Sequence, residues 1–275
     1  MLVNTLEEIR GKGRELILGD GRISSVKLVT AAHDMGFSMS YNSFEAGIES
    51  TLWYKNHWEA NYIISGACDV QDVTTGERWE LGPGSLYTVG PRDRHFFRSF
   101  EPVTLLSVFN PPVMGTETHD KDGAYPPTGP IPEGQERMFV KTAEAMRAEG
   151  AEKVAANGTA RTLRMLTKAD RVGFTLSDVH VEAGNTCVLW YKNHWEANFV
   201  LAGSGRSTDL TTGESWAMTP GTLHVVGPTD RHDVQALETM HVVSVFNPAL
   251  QGDKMHDEDG ALAPSGPVLP GPKSM

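Results

Sequence analysis

Several residues in this chain are of types that bind metals or move protons. In the stretch His57-Trp58-Glu59-Ala60-Asn61, an imidazole and a carboxylate stand two positions apart. On an extended strand, residues i and i+2 share a face, so His57 and Glu59 point the same way. A carboxylate turned inward is costly unless it is paired or holds a metal. Further on, Gly82-Pro83-Gly84 turns the chain and Tyr87 follows with two residues between. His95 comes eight positions later, after a second Gly-Pro turn, which sets it opposite Tyr87 on a neighbouring antiparallel strand. The same pattern recurs as Glu196, His224 and His232. A Tyr-for-His exchange at one position is hard to explain by packing and natural if both side chains ligate a metal. Alone, Glu59 on an exposed face and His95 as a hydrogen-bonded structural residue are the plain readings. Together, the spacing favours two metal sites, Glu59/Tyr87/His95 and Glu196/His224/His232. The second, with two imidazoles and a carboxylate, suits Fe(II) with open coordination positions. The first also suits iron, and zinc accepts the same kinds of donor. In the turn-rich stretch that follows, Glu117 and His119 offer an acid/base pair if the segment folds over a barrel mouth. The Asp residues of His119-Asp120-Lys121-Asp122-Gly123 suit turn hydrogen bonds.

The elements that must position these groups are written twice. A shift of 137 residues carries His57 to His194, His95 to His232, and Asn110 to Asn247 without a gap. Leu52–Asn61 and Leu189–Asn198 both read LWYKNHWEAN, and Met1 maps onto Met138. Two copies of this length imply two homologous domains, residues 1–137 and 138–275, rather than a solenoid. Each copy reads as short apolar runs bounded by TTGE, GPG and NP turn signals, the pattern of a sandwich or small barrel. Each opens with one short helix. Thr5 is placed to cap the first, with Glu8 reaching back. The Pro/Gly-rich segment 125–134 is read as closing the first unit and linking it to the second.

Lys and Arg number 24 against 35 Asp and Glu, so the net charge is −11. Such a surface repels phosphate backbones, which argues against nucleic-acid binding. No apolar run approaches the length of a membrane span, and the first residues lack an apolar signal core, so a cytoplasmic location and no membrane partner are expected. Cys68 and Cys187 fall at non-equivalent positions of the repeat and imply no disulfide framework.

Glu59, six residues and Gly66 resemble the first cupin motif, and the GPG turn before Tyr87 resembles the second. More specifically, each half resembles ectoine synthase. The likeness runs through TLEEIRG, MGFS at 35–38, WYKNHWEA, DRH at 93–95, VFNPP, and the glutamate and HDxDG of residues 117–123. It implies an all-β fold of two tandem cupin (jelly-roll-like) barrels, each with a short N-terminal helix. It also implies a metal-dependent cyclodehydratase acting on an amino-acid-derived small molecule, N-γ-acetyl-L-2,4-diaminobutyrate. The family forms head-to-tail dimers of chains about one unit long, so this chain would be an intrachain pseudo-dimer, with a homodimer of chains as a further level. The resemblance puts the metal on Glu59, Tyr87 and His95. It puts catalysis on Tyr54, His57, Glu117 and His119, and substrate contacts on Ser40, Asn42 and Phe109. The chain departs from the family at Ile23 and Asn42, where the family has Trp and Thr. The second copy departs further, with Ala160 and Val179 at those positions, His224 for Tyr87 and Lys254 for Glu117. The first unit is therefore expected to be the catalytic one. A related metal cupin enzyme with another small substrate, and a non-catalytic ligand-binding cupin, stand as alternatives.

Overall fold

The computed structural model describes residues 1–155, 159–252 and 256–272. Strands dominate, and the central ones, such as Trp58–Ser65 and Ser85–Val89, are buried along nearly their whole length, as the short apolar runs of the sequence imply. In the first repeat, a seven-stranded sheet runs Phe139–Thr142, Ser85–Val89, Trp58–Ser65, Val103–Asn110, Ser38–Phe44, Ile23–Val29, Glu15–Leu18. A four-stranded sheet runs Glu49–Leu52, His95–Ser99, Cys68–Asp72, Arg78–Leu81. Val70, Tyr87, Phe97, Leu105 and Phe109 share one buried cluster drawn from both sheets. The second repeat reproduces both sheets, its seven-stranded one beginning at Leu2–Thr5 and Thr222–Val226. The fold is an all-β pair of cupin barrels.

The compact units are not continuous in sequence. One comprises Ile9–Ala145 with Asp170–Val172, the other Met1–Glu8 with Met146–Ala169 and Gly173–Met275. The strand Leu2–Thr5 pairs with Thr222–Val226, and Phe139–Thr142 pairs with Ser85–Val89. Each repeat's opening strand thus completes the sheet built by the other repeat. Below, the unit holding Ile9–Ala145 is the first barrel. The helix Leu6–Gly11 carries the expected reciprocal cap: Thr5 N–H donates to Glu8 Oε2 at 2.7 Å and Glu8 N–H to Thr5 Oγ1 at 3.2 Å. The second helix spans Ala143–Ala148.

The Pro/Gly-rich segment is more than a link. Trp58 Nε1 donates to Pro132 O at 3.0 Å, and Gly134 lies flat on the same indole. A Cβ at Gly134 would stand 1.9 Å from the ring, so no larger residue fits there without displacement. Trp195, Leu269 and Gly271 repeat the arrangement. These contacts explain the paired Trp58 and Trp195 as packing residues, which strap each C-terminal segment to its barrel.

Candidate active site

Each barrel encloses a cavity. In the first it measures about 290 Å³ and is lined by Lys27, Ser40, Asn42, Tyr54, Glu59, Tyr87, Phe109 and His119, among others. Glu59 and Asn61 lie on Trp58–Ser65, where Asn61 faces Tyr87 in register. The i, i+2 alternation turns both residues inward. His95 does not lie on a strand neighbouring that of Tyr87, as the spacing implied: it begins a strand of the four-stranded sheet, between Glu49–Leu52 and Cys68–Asp72, and reaches Tyr87 across the barrel. It stands behind the cavity wall, its ring centre 6.3 Å from that of Tyr87 and 6.1 Å from that of Tyr54. Its Nδ1 faces the Asp93 carbonyl at 3.5 Å, while its Nε2 is buried with no hydrogen-bond partner. Burial raises the Glu59 carboxyl to about 7, opposed by hydrogen bonds from Asn61 and Ser107 and by the charge of Lys27. Burial lowers His95 to about 4, so its imidazole is neutral at physiological pH. A neutral imidazole with a buried lone pair, a buried carboxylate and a phenol are donors of the right chemistry for a metal ion.

Tyr54 and His119 form a second constellation. The Tyr54 hydroxyl lies 3.0 Å from His119 Nε2, and burial, then the Glu59 charge, pushes its pKa well above 10. It therefore remains a phenol. His119 is held from two sides. Tyr125 stacks on its ring at 4.3 Å and 14°. The turn that follows it is closed by Asp120 Oδ1, which accepts from Asp122 N–H at 2.8 Å and Ala124 N–H at 3.0 Å. Lys55 binds Asp122 at 2.5 Å and Asp120 at 3.3 Å, so a lysine of the repeated decapeptide clamps the turn that presents His119.

Two of the expected catalytic groups lie elsewhere than on the cavity wall. His57 sits behind Phe109 and Tyr125, edge-on to both rings, with Nε2 3.1 Å from Thr128 Oγ1. It is fully buried and does not line the cavity. The reason is local: Tyr54–His57 is a turn, closed by the His57 N–H to Tyr54 O bond of 3.1 Å. The strand starts only at Trp58, so His57 does not share the inward face of Glu59. Glu117 turns its carboxylate onto its own loop, accepting from Met114 N–H at 2.5 Å and Gly115 N–H at 2.6 Å.

Tyr125 and Lys27 are among the cavity-lining residues that the sequence did not single out. Tyr125 belongs to the Pro/Gly-rich segment, and its clue was the strict repeat register of that segment. Lys27 lies on Ile23–Val29 with its side chain buried, and burial lowers its pKa to about 8. It starts a hydrogen-bonded chain across the sheet. Lys27 Nζ donates to Ser25 Oγ (2.8 Å), Ser25 to Asn42 Oδ1 (2.5 Å), Asn42 Nδ2 to Ser107 Oγ (2.8 Å), and Ser107 to Asn61 Oδ1 (2.5 Å). The chain ends beside Glu59. A cation at one end and a carboxylate at the other orient every dipole between them.

The second cavity is larger, about 490 Å³, and is lined by Val179, Val181, Val234, Val242, Leu262 and Met240 as well as by Glu196, His224 and His232. Val179 in place of Asn42 breaks the hydrogen-bonded chain, leaving the Ser244-to-Asn198 link. Arg164 stands where Lys27 stands and donates to Gly252 O at 2.9 Å. Leu262 replaces Tyr125, although Tyr191 and His256 keep their 3.0 Å contact. His224 lies 5.4 Å from His232, ring centre to ring centre. Burial and then His232 hold His224 well below 6.5, hence neutral, and the Nε2 of His232 is buried and unpartnered. Lys254 lies outside the described residues.

The family model of ectoine synthase matches the chain twice, over residues 1–129 and 138–265. The chain belongs to the ectoine synthase family. An L-ectoine synthase of Oceanobacillus iheyensis is 40% identical over 131 residues, 46% of this chain and 97% of that protein. One from Desulfatibacillum aliphaticivorans is 40% identical over 126 residues, again 46% of this chain and 97% of its own length. Relatives of one-unit length, matched by a chain with two copies of the unit, mark a tandem duplication. Among solved structures, a mutant Bacillus subtilis oxalate decarboxylase aligns with a TM-score of 0.65 at 14% identity, covering 91% of this chain and 78% of that one. At that identity the likeness is one of fold.

Proposed function

We propose that the first barrel is a carbon–oxygen lyase that closes N-γ-acetyl-L-2,4-diaminobutyrate to ectoine with loss of water. The observation that carries this reading is the convergence of the Lys27–Asn61 chain, ending at Glu59, and the Tyr54–His119 pair on one small cavity. The unpartnered His95 Nε2 lies just behind its Tyr54 and Tyr87 walls. Glu59, Tyr87 and His95 would hold the metal, which we take to be Fe(II) with zinc as the alternative. When bound there, the ion supplies Lewis acidity toward an acetamide carbonyl.

The residues of the chain account for the rest. Lys27 is a buried cation suited to the substrate carboxylate. Phe109, Tyr125 and Tyr54 form an aromatic wall that excludes water from the acetyl methyl group. Ser40 and Asn42 offer hydrogen bonds along the substrate's length. The α-amine nitrogen attacks the acetamide carbon, forming the ring C–N bond. His119 is placed to take the two protons the nitrogen releases in turn, the first as the C–N bond forms and the second as the C=N bond forms. Tyr54, kept as a phenol 3.0 Å from His119 Nε2, is placed to pass each of them to the departing oxygen, which leaves as water, and to be reprotonated by His119. His57 and Glu117 act at one remove: His57 braces Phe109, and Glu117 shapes the loop that leads to His119.

The second barrel reads as a metal-holding partner without turnover, because its cavity lacks the Asn42 link and the Tyr125 brace. Its larger, more apolar cavity favours a ligand-binding role. The reading also carries a cytoplasmic enzyme making a compatible solute under osmotic stress, and repeats that pair within one chain. The exchanged opening strands support that pairing.

The test compares Glu59→Ala with Glu196→Ala, following N-γ-acetyl-diaminobutyrate by NMR under anaerobic Fe(II). The expected outcome is at least a 100-fold loss of kcat for Glu59→Ala and less than a threefold loss for Glu196→Ala, in line with losing the charge-stabilising site of only one barrel. Equal losses would sink the asymmetric assignment. Substrate that is bound but unconverted by the iron-loaded parent would favour the binding-protein reading.

A further inference from the structure

On the outer face of the second barrel, away from its cavity, lies a cluster that the ring-closing reading does not use. Thr175–Val181 pairs antiparallel with Met240–Asn247, and His180 stands directly opposite His241. Asp178 precedes His180 by two positions and shares its face. The cavity-lining residues are the alternates Ser177, Val179, Val181, Val242 and Ser244, so the three side chains point to the other side of the sheet. The two imidazoles stack at 4.2 Å and 13°. His180 Nδ1 and His241 Nε2 each lie 3.3 Å from Asp178 Oδ1, and all three ligand atoms fall within 4.8 Å of one another. Both ring nitrogens are buried and lack a hydrogen bond of good geometry. The Glu196/His224/His232 set does not reach this closeness.

We infer that Asp178, His180 and His241 form a surface binding site for a divalent transition-metal ion, zinc by the chemistry of its donors. Donors at about 2.05 Å from a tetrahedral ion stand about 3.3 to 3.4 Å apart along each edge, which is the separation seen on both sides of Asp178 Oδ1. The two rings are stacked, so their lone pairs converge on one ion only when one ring turns out of the stack about χ2, and that turn belongs to the proposal. Hydrogen bonding alone explains the arrangement less well, since both rings approach one oxygen at a long distance and neither meets it with good geometry. The rings are 23% and 27% exposed, so their edges reach solvent although the ligating atoms are buried. Arg147 already reaches Asp178 Oδ1 at 3.2 Å and also holds Glu152 at 2.8 Å. Its charge opposes a second cation there. Arg161, across from His180 on the next strand, is turned to Glu182 at 2.9 Å.

The fold does not require the cluster. In the first repeat the same positions are Tyr41, Ser43 and Thr104, while Arg10 and Glu15 match Arg147 and Glu152. The cluster thus belongs to one copy only, on a scaffold that stands without it in the other. The inference is independent of how the cavities work.

The experiment uses the full chain, stripped with a chelator and dialysed against zinc, with metal analysis and a thermal melt. The parent is compared with the double variant His180→Ser, His241→Thr, which installs the first repeat's residues and so is expected to fold. A Glu59→Gln, Glu196→Gln background removes the two buried cavity carboxylates from the count. In that background we expect one zinc per chain and a zinc-dependent rise in Tm, both lost on adding the Ser/Thr pair. Arg147→Gln should tighten zinc binding by about tenfold by removing a nearby positive charge. Unchanged zinc content and melting shift in the Ser/Thr variant, or no zinc in the Gln background, would overturn the assignment. So would weaker zinc binding in Arg147→Gln.

Discussion

Replacing Glu59 with Gln should stabilise the metal-free first barrel at alkaline pH and remove its response to iron. Burial lifts this carboxyl from its ordinary 4.5 to about 7, with Asn61, Ser107 and Lys27 opposing the rise. That gap corresponds to roughly 3 kcal/mol between the two protonation states. The direction follows from linkage. A carboxyl whose folded pKa is raised contributes stability in full below about pH 4.5, and that contribution is lost as pH rises through about 7. Above that, the folded barrel carries a buried anion with no cation bound to it but the partial help of Lys27. Gln keeps the shape and the hydrogen-bonding capacity but never ionises. At pH 4.5 parent and variant should melt together; at pH 8 the variant should exceed the parent by up to ~3 kcal/mol, about 10 °C for a unit of this size. Added anaerobically, Fe(II) should raise the parent's Tm by mass action and leave the variant's first-barrel transition unmoved. Glu196, also lifted to about 7, is the internal control for the second barrel. The assay is calorimetry of chelator-treated protein between pH 4.5 and 8.5, with and without Fe(II). Parallel pH profiles for parent and variant would refute the desolvation argument. An equal gain from iron in both would refute Glu59 as a ligand.

Lys27→Met should raise KM for the anionic substrate by about 30-fold, near 2 kcal/mol for one charge-assisted contact, with kcat little changed, whereas Lys27→Arg should retain binding. Because burial lowers Lys27 to about 8, substrate affinity should fall as pH passes that value, and a pH profile of kcat/KM checks this. Gly134→Ala should destabilise the first barrel by about 3 kcal/mol, because its new methyl group meets the Trp58 indole. A melt beside Gly271→Ala, its counterpart on Trp195, tests whether the two straps carry equal weight.

Much of the chain was legible one residue at a time. Short apolar runs and turn signals mark the barrels because a strand is a short buried segment ended by residues that turn the chain, a rule that needs no distant neighbour. The Thr5–Glu8 cap and the aspartate turn after His119 are local hydrogen-bonding patterns that the sequence states outright. The duplication is likewise visible without coordinates. His57 shows the limit of the alternation rule: two positions from Glu59 it should face inward, but the turn before Trp58 sends it behind Phe109.

What only the tertiary structure decided are the contacts between strands far apart in sequence. Lys27 reaches Glu59 through side chains from four strands, and no spacing along the chain encodes that path. Tyr125 meets His119 because a segment rich in Pro and Gly is strapped down by an indole. The opening strands change places because an edge strand pairs with whichever free edge lies in register, and sequence alone does not say which edge that is. Asp178, His180 and His241 meet only because the antiparallel register sets position 180 against position 241. Side-chain type and local geometry belong to the sequence. Which side chains share a cavity or a metal-sized gap depends on long-range register, and that is settled only when the sheets close.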